Sequence, residues 1–233
     1  MTVESFLRSC LDIALPRACV LCGAPLMPGA RKPWPVCEGC SSGLRPLGGE
    51  RCERCGLPLI SERELCMRCR EASRSIDSIH PLFSYAGPAR DLVRAYKIRK
   101  RRSLAPFFAQ LFAEAYDRNW PGRTIVPVPP RPGKERIQGW DQVEEIVRIL
   151  EEGGYAVARP LERGRSGEQK SLGRGERGAN ARRAYAMKSG ASAPLHALLV
   201  DDVVTTCATL DACATALKLG GAVSVAALVF AAD

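Results

Sequence analysis

Two adjacent acids, Asp201 and Asp202, follow an apolar run that has the character of a buried strand. A threonine-rich turn over residues 203–209 comes next and leads into a segment of helical composition. Open α/β sheets bind ligands at the carboxyl ends of their strands, where such acids would project. Free N–H groups and the dipole at the start of the next helix favour a phosphate. The pattern predicts a sugar-phosphate site, in which the acids hold hydroxyl groups, often with Mg²⁺.

The candidate site has two groups of residues. The candidate catalytic acids are Asp201 and Asp202, and the candidate phosphate-binding residues are Val203, Val204, Thr205, Thr206, Cys207, Ala208, Thr209, Lys97 and Arg131. The alternative is a buried strand that ends by chance in two acids and a polar turn. The order of apolar run, acids, threonines and helix favours the site.

Eight of the eleven cysteines form four Cys-x-x-Cys pairs, which is a spacing that holds metal. An internal repeat relates the pairs, because Cys-Val-Leu-Cys-Gly-Ala-Pro-Leu at residue 19 returns as Cys-Glu-Arg-Cys-Gly-Leu-Pro-Leu at residue 52. The repeat favours two sequential Cys₄ sites over interleaved ones: Cys19, Cys22, Cys37 and Cys40, then Cys52, Cys55, Cys66 and Cys69.

Zinc in a structural role is the predicted occupant of both Cys₄ sites, and a redox dithiol or an iron–sulfur cluster is the alternative. A thioredoxin-like pair would need a surrounding βαβ pattern, which the proline-rich residues 16–71 lack. The linkers hold few apolar residues, so metal binding is expected to supply most of the folding energy of this module. Two Zn(Cys)₄ centres, each formally −2, reduce the net charge of +9 to +5.

The length of 233 residues fits one large domain, or one medium domain with a smaller appendage. We predict an amphipathic N-terminal helix over residues 1–16, a double zinc ribbon over 17–72 and a larger domain over 76–233. No apolar run reaches the roughly 18 residues needed to span a bilayer. No signal peptide is recognisable either, so the chain is predicted to be cytoplasmic.

The larger domain is predicted to be α/β, with a mostly parallel sheet flanked by helices. Strand-like runs alternate with segments of helical spacing, a pattern typical of parallel sheets. The runs cover residues 78–85, 124–130, 184–187, 196–201 and 222–230, and the helical segments cover 89–97, 104–119, 140–151 and 209–219.

Three basic segments accompany these elements. Residues 94–102 hold six cations and no acid, and the loop over 129–139 holds Arg131, Lys134 and Arg136. Both could meet a nucleic acid or a pyrophosphate, or could be solvated surface. Residues 159–183 are basic and glycine-rich, and are expected to form either ordinary surface or a flap over substrate rather than a core element.

The acid-and-threonine stretch resembles the phosphoribosyl-pyrophosphate (PRPP) motif of type I phosphoribosyltransferases, and nearly the whole chain resembles the ComF family. That family joins a double zinc ribbon to a phosphoribosyltransferase-like domain. The PRPP motif of type I phosphoribosyltransferases usually has Gly at the position of Cys207, where a side chain is expected to narrow the turn or to oppose a positive φ. The resemblance rests on the four cysteine pairs, Tyr85-Ala-Gly-Pro88, Lys97, Val126-Pro-Val-Pro129, the 136–142 segment, Gln169, Leu172, Arg177, Asn180 and residues 200–210.

The resemblance implies a role in natural competence, with single-stranded DNA, PRPP or another phosphoribosyl ligand, and a helicase-like protein as partners. Tyr96, Trp120, Trp140 and Tyr185 are available for base stacking, or could be core residues. The alternative function is an active phosphoribosyltransferase that uses Mg²⁺ with PRPP and an unknown acceptor. A third possibility is a scaffold whose sugar-phosphate site is vestigial.

Overall fold

The computed structural model describes residues 18–26, 35–60, 63–133, 139–164 and 184–233. The helix expected over residues 1–16 lies outside the described residues, as do Lys134, Arg136 and residues 165–183 of the expected flap. The domain boundaries given above therefore stay predictions.

Two short helices, α1 (Glu38–Ser42) and α2 (Met67–Glu71), each follow the third cysteine of a Cys₄ set. The first ribbon meets the larger domain at Pro46, which forms an antiparallel bridge with Phe83. The second ribbon meets it where the N–H of Ile79 donates to the carbonyl oxygen of Arg54, at 2.7 Å. Both ribbons therefore contact the first strand of the larger domain.

The larger domain is built on a four-stranded parallel sheet of order β1-β6-β5-β2. Its elements in chain order are β1 (Ser78–Ser84), α3 (Gly87–Lys97), a 3₁₀ turn (Arg102–Leu104), α4 (Ala105–Asn119), β2 (Thr124–Pro127), α5 (Gln142–Glu152), β3 (Leu161–Arg163), β4 (Tyr185–Met187), β5 (His196–Val204), α6 (Ala208–Leu219) and β6 (Ser224–Ala232).

The central strands bury both of their faces, which explains their continuous apolar sequence. Alternate residues contribute to two separate cores, as the twofold period of a strand requires. Leu198 and Val200 pack with helices α3, α4 and α5, whereas Ala197 and Leu199 pack with α6 and the β3–β4 pair. The result is a three-layer arrangement, and the predicted α/β class with a mostly parallel sheet flanked by helices is confirmed.

One part of the sequence prediction was wrong. Residues 159–163 were expected to stay outside the core, but Leu161 is buried and β3 pairs antiparallel with β4. A strand of three residues with a single buried position has no period that a sequence can show. Arg159 also holds this segment against α5, because its guanidinium binds Glu144 and Glu151 of that helix, both at 2.7 Å.

Among the described helices, none is both long and apolar enough to cross a bilayer.

Candidate functional site

The cysteines gather into the two sequential clusters that the repeat predicted. Within each cluster the four Sγ atoms lie within 4.8 Å of one another. Tetrahedral zinc–thiolate bonds of about 2.3 Å place sulfur atoms about 3.8 Å apart. The Sγ atoms of Cys22 and Cys37 are 3.6 Å apart, and those of Cys55 and Cys66 are 3.7 Å apart. The donor set therefore fits zinc.

The two clusters share their local geometry as well as their sequence. The N–H of Cys37 donates to Sγ of Cys19 at 3.4 Å, and the N–H of Cys66 donates to Sγ of Cys52 at the same distance. Such bonds stabilise thiolate ligands. Gly23 and Gly56 close the equivalent knuckles with φ of +75° and +70°. This correspondence confirms the sequential pairing.

A cavity of about 550 Å³ lies at the carboxyl ends of β2 and β5. The loop after β2, the start of α5, the β3–β4 pair and the end of β5 contribute to it. Its charged and polar lining residues are Lys97, Arg131, Asp141, Gln142, Arg163, Tyr185, Asp201, Asp202 and Thr209. The cavity combines acids with cations from three separate segments, a composition that suits a ligand carrying both hydroxyl and phosphate groups.

Asp202 lies on the face of the sheet that helices α3, α4 and α5 cover. Its Oδ2 atom lies 2.8 Å from Nζ of Lys97 and accepts a hydrogen bond of 2.9 Å from the side-chain amide of Gln142. Its Oδ1 atom accepts from the N–H of Val203 at 2.7 Å. The carboxylate is therefore fixed by three donors, one of which is a full positive charge.

Asp201 has a different environment because neighbouring residues of a strand point to opposite faces. It belongs to the face that carries Leu199, and its charge acts on Tyr185 and Cys213. Burial raises the pKa of Asp201 to about 7, and repulsion from Asp202 adds to the rise. Asp201 therefore titrates near neutrality in the folded chain.

The turn after β5 encloses a small pocket of about 50 Å³, lined by Asp201 and residues 203–210. Within the described part of the chain, the N–H groups of residues 205–210 meet no acceptor, and the first bond of α6 runs from the N–H of Asp211 to the carbonyl oxygen of Cys207. We call residues 205–210 the anion turn, because free N–H groups at a helix start attract anions.

Cys207 takes the backbone conformation that the sequence argument expected its side chain to oppose. Its φ is +61° and its ψ is −3°, in the left-handed region that favours glycine. The side chain is buried in the core between the sheet and α6. The turn therefore has a glycine-like path despite the cysteine, at the cost of local strain.

The structure also shows where the remaining predicted residues lie. Lys97 and Arg131 both line the larger cavity, although Lys97 is bound to Asp202. Tyr96 and Trp140 are buried and Trp120 is partly buried against the core, so these three rings are core residues rather than a stacking surface. Tyr185 is also buried, but it lines the larger cavity. Sequence reasoning did not single out Gln142 or Arg163 as site residues, and it named Tyr185 only as a candidate for base stacking. Only Gln142 had a signal, since it follows Asp141, whose carboxylate caps α5.

The basic run over residues 94–102 divides into two groups. Lys97 is paired with Asp202, and Arg102 binds Glu145 at 2.7 Å. Arg94, Arg99, Lys100 and Arg101 are exposed, and their side chains make no ion pair with any residue that the structure describes. These four cations form what we call the basic edge.

Comparison with known proteins agrees with this arrangement. Residues 10–70 match the family described as Double zinc ribbon domain. The chain is 27% identical over 192 residues to competence protein ComFC of Streptococcus pneumoniae, covering 80% of this chain and 83% of that protein. It is 26% identical over 226 residues to DNA utilization protein YhgH of Escherichia coli K12, covering 91% and 96%.

The double zinc ribbon match and the relatives named ComFC and YhgH support the resemblance of the chain to the ComF family. The double zinc ribbon match and the two clusters agree on two structural zinc sites in this protein. Among solved structures, a hypoxanthine phosphoribosyl transferase of Trypanosoma cruzi aligns with a TM-score of 0.35 and 16% identity, covering 55% of this chain and 62% of that one.

Proposed function

We propose that this protein acts in the uptake or use of DNA by binding a phosphorylated ribose in the cavity at the carboxyl ends of its strands. The anion turn carries this proposal, because it places free N–H groups beside Asp201 and Asp202. The phosphate would bind the turn, and the ribose hydroxyl groups would meet the acids. The names of two relatives, a competence protein and a DNA utilization protein, support a role in the uptake or use of DNA.

Single-stranded DNA is the proposed macromolecular partner. The basic edge continues directly from Lys97, which lines the cavity, so a strand could contact both. Neutralising phosphates releases counterions, and the affinity should then fall steeply with salt. The zinc ribbons are proposed to dock a protein partner, such as the helicase-like protein that the family resemblance implies.

Calorimetry of the zinc-loaded protein tests the ligand. We expect wild type to bind Mg-PRPP and Asp202→Asn to lose that binding, because the variant lacks one carboxylate. Asp117→Asn is the matched control, since Asp117 accepts a bond from Tyr155 outside the cavity. The absence of Mg-PRPP binding by wild type would overturn the phosphoribosyl proposal.

Filter binding with a short oligonucleotide tests the basic edge. The combined change Arg99→Ala, Lys100→Ala and Arg101→Ala should weaken binding and flatten its salt dependence by about one unit of slope per lost phosphate contact. Arg90→Ala with Arg148→Ala is the control, because both arginines are exposed outside this edge. Equal binding by both sets of variants would remove the DNA part of the proposal.

A second candidate is an active phosphoribosyltransferase with Mg²⁺ and PRPP. The two acids beside the anion turn favour it, because Mg²⁺ prefers carboxylate oxygens. Cations at Arg131 and Arg163 could stabilise a leaving pyrophosphate. Release of pyrophosphate from Mg-PRPP in the presence of candidate acceptors would support turnover. Binding of Mg-PRPP with no release against any base or nucleotide acceptor would favour the binding role.

A further inference from the structure

We propose that the second zinc ribbon is part of the anion site, because Arg74, in the segment that leaves this ribbon, positions the Thr206–Cys207 peptide. Phosphate affinity would then depend on the second Cys₄ site and not on the first. The inference rests on the proposed function of the anion turn, and it assigns that turn a positioning residue from another module.

The contact itself is a hydrogen bond from Nη1 of Arg74 to the carbonyl oxygen of Thr206, at 3.4 Å. A peptide unit is planar and trans, so this carbonyl and the N–H of Cys207 point in opposite directions. Arg74 is not among the residues that line the small pocket, and it therefore reaches the turn from outside. Drawing the oxygen outward leaves the N–H of Cys207 free for an anion on the other side.

The segment around Arg74 is fixed along α6. The carboxylate of Asp211 accepts from the N–H of Ser75 at 2.6 Å and from the N–H of Ile76 at 3.2 Å. The hydroxyl of Thr215 donates to that of Ser75 at 2.8 Å. Asp211 also donates its own N–H to Cys207, so one residue joins the segment to the turn.

The same segment is tied to the metal cluster. Arg54 lies between the ligands Cys52 and Cys55, and its Nη1 donates to the carbonyl oxygens of Cys69 and Ala72, at 3.0 and 3.3 Å. A continuous set of bonds therefore runs from the zinc knuckle through Arg54 to the exit of α2, and onward through Arg74 to the anion turn. Both ends pack in one core, which contains Cys52, Cys55, Cys69 and Cys207.

The first ribbon provides an internal comparison. Cys19 and Val36 pack in the other core, with helices α3, α4 and α5. No hydrogen bond joins the first ribbon to the anion turn within the ranges that the structure describes. Two ribbons of matching geometry thus differ in their connection to the site.

The decisive variant is Arg74→Ala in the full zinc-loaded chain, with inorganic phosphate as the probe in calorimetry. We expect affinity to fall about 3- to 10-fold, the loss of one hydrogen bond, with two zinc ions retained. Arg70→Ala is the control, because Arg70 lies in the same segment but donates to Leu65. Equal affinity of wild type and Arg74→Ala would overturn the inference.

Amide resonances separate this inference from the proposed function. Without ligand, Arg74→Ala should shift the ¹⁵N–¹H signals of Thr206 and Cys207, whereas Arg70→Ala should leave them in place. Cys55→Ser should shift the same signals, and Cys22→Ser should not. If wild type fails to bind phosphate but these shifts appear, the proposed function fails and the connection stands. Unchanged signals in Arg74→Ala would refute the connection.

Discussion

The ammonium group of Lys97 lies 2.8 Å from the carboxylate of Asp202 and joins the last residue of α3 to the carboxyl end of β5. Desolvation alone would lower the pKa of Lys97, but attraction by Asp202 and Asp201 outweighs it and the pKa is raised. Lys97 therefore stays charged and offsets one of the two acids. Its role as a phosphate ligand remains a prediction, because the ammonium group would have to bind a phosphate and the Asp202 carboxylate at the same time.

Asp201→Asn should remove a pH dependence of stability. The pKa of Asp201 is about 7 in the folded chain and about 3.9 in an unfolded one. The folded state thus binds more protons between these values, and wild type loses stability as the pH rises through that window. Urea unfolding should show Asn more stable than Asp at pH 8, with a smaller gain at pH 5. A gain that is independent of pH would contradict the raised pKa.

Cys207→Gly should relieve backbone strain, and Cys207→Ala should not. Both changes remove the same buried sulfur, but only glycine adopts a φ of +61° without steric cost. We expect the glycine variant to exceed the alanine variant in free energy of unfolding by roughly 1 kcal/mol. Phosphate titration of both variants then shows whether the side chain limits the turn. A sharp gain in affinity for glycine would indicate that the natural site is compromised.

Gly56→Ala and Gly23→Ala should differ although both glycines occupy equivalent knuckles with positive φ. A Cβ at position 56 would lie 2.4 Å from the carbonyl oxygen of Ile79 and from Cδ of Pro81, whereas position 23 has open space. The left-handed conformation costs each alanine about 1–2 kcal/mol. The clash should add to that cost at position 56 only, as measured by urea unfolding at full zinc loading. Equal losses would mean that the second ribbon does not approach β1 this closely.

Tyr185→Phe should leave the stability unchanged or raise it slightly. The Tyr185 hydroxyl is buried, and its interaction with the side chain of Thr209 falls short of hydrogen-bond geometry, as do its contacts with the other described residues. Tyr116→Phe is the contrast, since its hydroxyl donates to the carbonyl oxygen of Arg123 at 2.6 Å. Its loss should cost about 1 kcal/mol or more, because a buried acceptor is left unpaired. Thermal unfolding of the two variants measures both changes in stability. A clear loss of stability in Tyr185→Phe would reveal a hydrogen bond made by that hydroxyl.

The sequence predicted those features that depend on local spacing. Both Cys₄ sets follow from a repeat, and the order of strands and helices follows from apolar runs that alternate with helical periods. The position of Asp201 and Asp202 near the carboxyl end of β5 follows from the same run, although the strand includes Val203 and Val204, which were expected to belong to the turn. These inferences succeed because each feature is encoded by residues that are neighbours in the chain.

Features that depend on contacts between distant segments could not be obtained in this way. The partners of Asp202 come from α3 and α5, and the strand β3 exists because β4 pairs with it. Tyr96 and Trp140, which were considered for base stacking, are core residues because they pack among helices α3, α4 and α5. Cys207 shows the other limit, since local preference argued against a conformation that its tertiary surroundings impose.

Consecutive positions on β5 send the two acids to different sides of the sheet. The Asp202 carboxylate contacts residues of the layer of α3, α4 and α5, whereas the Asp201 carboxylate faces the layer of α6 and the β3–β4 pair. Substitutions in the layer of α3, α4 and α5 therefore act on Asp202 directly and reach Asp201 through the charges of Asp202 and Lys97. The proton affinity of Asp201 thus depends on both layers, whereas the side-chain partners of Asp202 come from one.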